Sequence, residues 1–206
     1  MKYKALLFGS IGTLIESSDI QRTSFNEAFK EAGLDWYWDE QDYRSLLKKS
    51  GGTKRVEDFA EKNNVNVNAS QIRNRKTEIF SSYIIKNKQK LRKSVYEIIN
   101  FSKKNNIKLS LSTSTTINNV EAIFESLSDQ ITKEDFDFIG NKSLVKYEKP
   151  NPEIYKVTLE HLNIEASDCI AIEDTEESSQ SAINAGIKCI GFPGDFHSDD
   201  NFEMCI

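Results

Sequence analysis

The chain has 206 residues, of which 38% are hydrophobic and 29% charged, and its formal net charge is −5. That length supports one sizeable core plus a small subdomain, and the acidic balance gives no electrostatic footprint for nucleic acid or an anionic membrane surface. Apolar runs of only a few residues exclude a transmembrane helix. The first of them, at 5–8, is too short for a secretory leader, and Cys169, Cys189 and Cys205 lack metal-ligand spacing, so a zinc-free protein of the reducing cytoplasm is expected.

In chain order, residues 4–8 read as a buried strand, Lys4-Ala5-Leu6-Leu7-Phe8, running into a tight loop, Gly9-Ser10-Ile11-Gly12-Thr13-Leu14. From 16 to 90 only helical periodicity follows. Phe25, Ala28, Phe29 and Ala32 form one stripe that stops at Gly33, a helix-ending residue. Tyr43, Leu46 and Leu47 form a second stripe, Val56, Phe59 and Ala60 a third, and Ile72, Ile79, Phe80, Tyr83 and Ile84 a fourth. The cluster Trp36-Tyr37-Trp38 suits a helical core or an exposed recognition patch. The lysine-rich 86–93 run reads as a solvated linker and helix start.

Strand signals return at 107–113, 136–139, 169–172 and 188–192. Between them lie the helical faces of Ile117, Val120, Phe124 and Leu127, and of Ile154, Tyr155, Thr158, Leu159 and Leu162. Short strands alternating with helices predict an α/β fold, a Rossmann-like parallel sheet covered on both faces. The helical stretch is then an insertion. Residues 1–15 and 91–206 form the core domain, and 16–90 an all-helical cap.

Open parallel sheets bind ligands beyond the carboxyl ends of their strands. The positions to inspect are therefore Gly9 to Thr13, Thr113 and Ser114, Lys149, and Glu173-Asp174. Each has a plain structural role available as well. Thr113 to Thr116 would cap a helix starting near Ile117, which is compatible with anion binding. Glu173 and Asp174 would favour a helix N-terminus.

These four places resemble, in order, the four motifs of the haloacid dehalogenase superfamily. Phe8-Gly9-Ser10-Ile11-Gly12-Thr13-Leu14 sits where the family has Phe-Asp-x-Asp-Gly-Thr-Leu. Leu109-Ser110-Leu111-Ser112-Thr113-Ser114 looks like the second motif, Lys149-Pro150-Asn151-Pro152-Glu153-Ile154-Tyr155 like the third, and Ile172-Glu173-Asp174-Thr175 like the fourth. The cap run Gly51-Gly52-Thr53-Lys54-Arg55 is similar to the substrate loop of the beta-phosphoglucomutase branch, especially phosphatases acting on xylulose bisphosphate.

The resemblance implies a magnesium-dependent phosphotransfer chemistry for active relatives. A first aspartate attacks phosphorus, a second moves the proton, and magnesium offsets the repulsion between carboxylate and phosphate. Here the nucleophile position is Gly9 and the acid/base position Ile11, and neither residue can do that work. Phosphate-binding roles fall to Ser10, Gly12, Thr13, Thr113, Ser114 and Lys149. The metal ligands left are Glu173 and Asp174, so the expected cofactor is none, or weakly held Mg²⁺. Arg44, Lys54 and Arg55 are the cap residues expected to face the cleft.

The leading functional expectation is a pseudophosphatase that binds a small phosphorylated metabolite or inorganic phosphate. The alternatives are a hydrolase with altered chemistry, using Ser10, Asp19 or a fourth-motif acid, and a protein-interaction module using the aromatic cap. The last would have a protein partner.

Overall fold

The computed structural model describes residues 3–9, 11–48 and 51–206, so Ser10 lies outside the described residues. Strand β1 (Ala5–Phe8) leads into a single helical turn, α1 (Ile11–Leu14). Helices α2 (Ser18–Glu31), α3 (Glu40–Leu47), α4 (Gly52–Lys62) and α5 (Ala69–Lys86) follow without an intervening strand among the described residues. The chain then alternates α6 (Val95–Lys104), β2 (Lys108–Ser112), α7 (Ile117–Ser126), β3 (Phe138–Gly140), α8 (Glu153–Leu162), β4 (Cys169–Glu173), α9 (Glu176–Asn184) and β5 (Lys188–Gly191).

The strands form one parallel sheet in the order β3-β2-β1-β4-β5. Strand β1 is central, with Leu7 opposite both Ser110 on β2 and Ala171 on β4. Because side chains alternate along a strand, Ala5 and Leu7 enter one buried cluster with Ile154, Tyr155 and Ala171. Phe8 enters the other, with Leu14, Leu111, Val120 and Phe124. Both faces are thus buried, as a parallel sheet requires.

Helices α2 to α5 close around a third cluster centred on Trp38, which is 0% exposed. Phe25, Phe29, Tyr43 and Phe59 surround that ring, and the Phe29 and Trp38 centroids lie 4.6 Å apart. Side-chain caps hold the starts of α3 and α5. Asp39 accepts from the Asp42 N–H at 2.8 Å and Asn68 from the Gln71 N–H at 3.0 Å, each supplying a partner that the helix cannot supply itself. Gly33 ends α2 at φ +70°, the left-handed region where a glycine carries no steric penalty.

Several sequence expectations shift. The aromatic triplet splits: Trp38 is buried, Trp36 is half-buried, and Tyr37 is 68% exposed. Ala32 and Tyr83 fall on exposed surface, outside the stripes assigned to them. The third strand begins at Phe138, because Phe136 turns inward against Phe8 and Phe124. The 86–93 run is not uniformly a solvated linker. Arg92 donates to the carbonyls of Gly12 at 2.9 Å, Phe192 at 2.8 Å and Pro193 at 2.6 Å, with its guanidinium 3.6 Å over the Phe192 ring. Among the described residues, no helix is long and apolar enough to cross a membrane.

Candidate functional site

The carboxyl ends of β1 and β4 meet at a buried ionic knot. The Gly9 N–H donates to the Ile172 carbonyl at 2.9 Å, which draws the two strand ends together. Lacking a β-carbon, Gly9 leaves room for the carboxylate of Glu173. A β-carbon on Gly9 would stand 2.0 Å from both Cδ and Oε1 of Glu173, and 2.3 Å from Oε2. Oε1 accepts from the Lys149 ammonium at 2.5 Å and from the Tyr155 hydroxyl at 2.5 Å, and the same ammonium also donates to the Gly9 carbonyl. Oε2 is buried without a partner.

The pair is sequestered, with side-chain exposures of 7% for Lys149 and 0% for Glu173. Burial pushes the Glu173 carboxyl above its ordinary value; Lys149 pulls the other way and Asp174 adds to the rise. The buried Tyr155 phenol is likewise driven well up, by burial first and then by the neighbouring Glu173 charge. The loop before α8 fixes Lys149 in place. The Glu153 carboxylate accepts from the Lys146 and Tyr147 N–H groups at 2.9 and 2.8 Å, while the Asn151 side chain caps the Glu153 N–H at 3.0 Å.

The rest of the first loop faces elsewhere. Ile11 packs against the cluster around Phe8 and Leu14, and Thr13 is fully buried. Gly12 repeats the relation of Gly9: a β-carbon there would lie 1.7 Å from Oδ2 of Asp174. Glu173 at the end of β4 and Asp174 just after it therefore both lie against glycines of the first loop. Thr113 is 4% exposed and its hydroxyl accepts from the Thr115 N–H at 3.2 Å, while Ser114 beside it is half-buried. The cap of α7 is Thr116.

A resident magnesium ion does not fit this donor set. Mg²⁺ demands a near-octahedral shell of oxygens. One of the two candidate carboxylates already shares Oε1 with an ammonium and a phenol, and that ammonium would stand beside the metal. Among the described residues, no group of three or more His, Cys, Asp or Glu side chains is placed to hold a metal.

A cleft of about 1040 Å³ opens between the helical layer and the sheet. Its sheet side carries Gly12, Glu16, Asp174 and Glu177, and its helical side Tyr43, Arg44, Arg55, Arg73 and Lys76. Arg44 reaches across to the Asp195 carbonyl at 2.6 Å and stacks 4.6 Å over Phe196. Arg55 is held by the Leu46 carbonyl at 2.9 Å. Lys54 is paired with Asp58 and is not among the cleft-lining residues. The structure thus gathers Gly9, Lys149 and Glu173 in the knot, and Gly12, Asp174, Arg44 and Arg55 at the cleft.

Arg73 and Lys76 join the cleft wall in addition to the cap residues expected there. The available signal was two cations three apart on one helix, in a stripe with Ile72 and Phe80. Lys76 is 5% exposed, donates to the Gln21 side-chain oxygen at 2.6 Å, and lies 5.1 Å from the Phe25 and Phe80 ring centroids. Burial holds its ammonium well below the ordinary lysine range, and Arg73 and Arg55 add like-charge repulsion. Two cation–π contacts return about 0.5–2 kcal/mol each, against several kcal/mol for burying an ammonium with no carboxylate partner.

The model of the haloacid dehalogenase-like hydrolase family matches residues 11–192. The chain belongs to the haloacid dehalogenase-like hydrolases. Among relatives of this family, it is 32% identical to Protein CbbY of Cereibacter sphaeroides over 202 residues, 97% of this chain and 88% of that one. It is 26% identical to a phosphorylated carbohydrates phosphatase of Thermotoga maritima, covering 91% and 83% of the two chains. The crystal structure of CbbY from Rhodobacter sphaeroides in complex with phosphate superimposes with a TM-score of 0.87 at 31% identity, covering 98% of this chain and 92% of the other. A mutant of that protein in complex with xylulose-(1,5)bisphosphate gives 0.86 at the same identity and coverage. The parallel sheet with its inserted helices is therefore the haloacid dehalogenase-like fold.

Proposed function

We propose that this haloacid dehalogenase-like protein binds a small phosphorylated metabolite in the cleft without transferring its phosphoryl group. The observation that carries the reading is at Gly9. The β1 end has no carboxylate of its own, and the carboxylate in its place, from Glu173, is 0% exposed and shared by Lys149 and Tyr155. A nucleophile must reach phosphorus and a second group must move the proton. Glu173 is walled off from substrate, and Ile11 is an apolar, partly buried side chain packed against the core.

Three features support the ligand class. Arg44, Arg55 and Arg73 give the helical wall an excess of cations, suited to an anion. The CbbY structure of similar fold holds phosphate, and its mutant a sugar bisphosphate. Within this reading the cap spans 16–90 and the core 1–15 with 91–206. Lys149 binds phosphate only if Glu173 releases it. The cleft is then the primary anion site, and no resident magnesium takes part.

A second reading has one observation in its favour: Asp174 lines the cleft and could position a water for hydrolysis. One experiment separates the two. The purified chain is titrated calorimetrically with inorganic phosphate and with xylulose 1,5-bisphosphate, with and without Mg²⁺, and phosphate release is followed in parallel. Binding without release, indifferent to Mg²⁺, is the expected result. Release at rates near the enzyme median of about 10 s⁻¹ overturns the proposal, and no binding of either ligand removes the cleft as an anion site.

A further inference from the structure

We propose that Lys76 is a carbonyl-capturing amine, forming an imine with phosphorylated aldehydes or ketones that enter the cleft. This needs the cleft to admit a ligand, as the proposed function does, but it needs neither turnover nor its absence.

Lys76 sits on α5 in the cleft wall, where the ends of Arg55 and Arg73 also line the space. Its polar contact is the uncharged Gln21 side chain at 2.6 Å, and its other neighbours are the Phe25 and Phe80 rings. No ion pair to a carboxylate is formed by Lys76 among the described residues. The charged groups acting on it are Arg73 on its own helix and Arg55 on α4, while α2 presents Gln21 and Phe25. Burial beside cations favours the neutral amine, the nucleophilic form. Several surface lysines carry acidic partners instead, as Lys54 does with Asp58 and Lys133 with Glu121.

The step balances within the two reactants. The Lys76 nitrogen bonds the carbonyl carbon, its two protons pass to the carbonyl oxygen, and that oxygen departs as water. A C=N bond remains. The two arginines supply an anchor for the phosphate of the same ligand, which makes a phosphorylated carbonyl compound the substrate class.

Pyridoxal 5′-phosphate is a suitable probe. The full chain is incubated with it at neutral pH, the imine is reduced by borohydride, whose hydride adds to the imine carbon, and the adduct is mapped by peptide mass analysis. Lys76 is expected to carry at least about tenfold more adduct than any other lysine, as a lowered charging equilibrium implies. The Lys76→Arg and Lys76→Met variants should lose that adduct and keep the surface background. Adduct spread evenly over exposed lysines overturns the inference, and so does an unlabelled Lys76 in chain whose circular dichroism shows it folded. A parallel titration with inorganic phosphate reads anion binding separately. Phosphate binding with no Lys76 adduct sinks this inference and leaves the proposed function standing. A Lys76 adduct without phosphate binding supports carbonyl capture and counts against the anion reading.

Discussion

Glu173 places its carboxylate carbon 2.0 Å from the point where a β-carbon on Gly9 would be. Glu173 is the last residue of β4 and Gly9 follows the last residue of β1, neighbouring strands whose register sets Phe8 opposite Ile172. An acid from β4 thus fills space that the β1 residue leaves open, and the ammonium of Lys149 meets it there. The charge of the knot is balanced internally. Lys149, which the sequence places among the expected phosphate-binding residues, is engaged by its own fold.

Gly9→Ala should destabilise the chain by about 1–3 kcal/mol, the range for forcing extra volume into a packed interior. Denaturant midpoints check this, and an unchanged midpoint would show that Glu173 moves aside freely. The Gly9→Asp, Ile11→Asp double variant sets two carboxylates in one buried site, where like charges resist ionisation together. Its thermal midpoint should rise on adding Mg²⁺, while that of the wild type stays fixed.

Lys149→Met leaves Glu173 buried without its cation and should cost about 3–5 kcal/mol, as breaking a buried pair does. Adding Glu173→Gln to that variant should recover most of the loss, because the stranded charge is gone. A double-mutant cycle measures the coupling. Additive losses would mean that the two residues do not act as a pair.

The pH dependence follows from the direction of the Glu173 shift. Burial raises its carboxyl above the ordinary value of 4.5, so the folded state holds the proton more tightly than the unfolded state. Its stabilising contribution is full below pH 4.5 and is lost as pH rises through the higher folded value. Glu173→Gln removes that dependence. Stability measured from acid to neutral pH should fall less steeply on the alkaline side for the variant, and parallel curves would refute the assignment.

Lys76→Met should be neutral or stabilising by about 1–2 kcal/mol, since an unpaired buried amine gives way to an apolar chain of similar volume. Lys76 has its equilibrium pushed below the ordinary 10.5. The penalty for charging it therefore grows as pH falls below that value, and the variant's advantage should be larger near neutrality than at alkaline pH. Chemical denaturation at both conditions checks the sign. A gain in stability with a loss of carbonyl capture would mark Lys76 as kept for function.

Much of the fold was legible. Short apolar runs locate β1, β2, β4 and β5 to within a residue or two, since strands of a parallel sheet are buried on both faces. β3 starts two residues later than the sequence predicts, because Phe136 looks like a strand residue but is spent on the aromatic contact with Phe124. Arg92 looked like one cation in a lysine-rich linker. Its three carbonyl contacts come from residues as distant as Pro193, which no local pattern shows.

The candidate site divides in the same way. Local chemistry was readable one residue at a time: Gly9 and Ile11 carry no ionisable group, Lys149 precedes a proline-started helix, and Glu173-Asp174 end a strand. What each of them touches depends on the register of β1 against β4 and on the packing of α5 over the cleft. The sequence by itself determined the layered fold and the absence of carboxylates at positions 9 and 11, because periodicity and side-chain chemistry are local properties. Only the tertiary structure decided that Glu173 fills the space beside Gly9, that Lys149 is already paired, and that Arg73 and Lys76 face the cleft. Those are relations between segments far apart in the chain, fixed by strand pairing and helix packing.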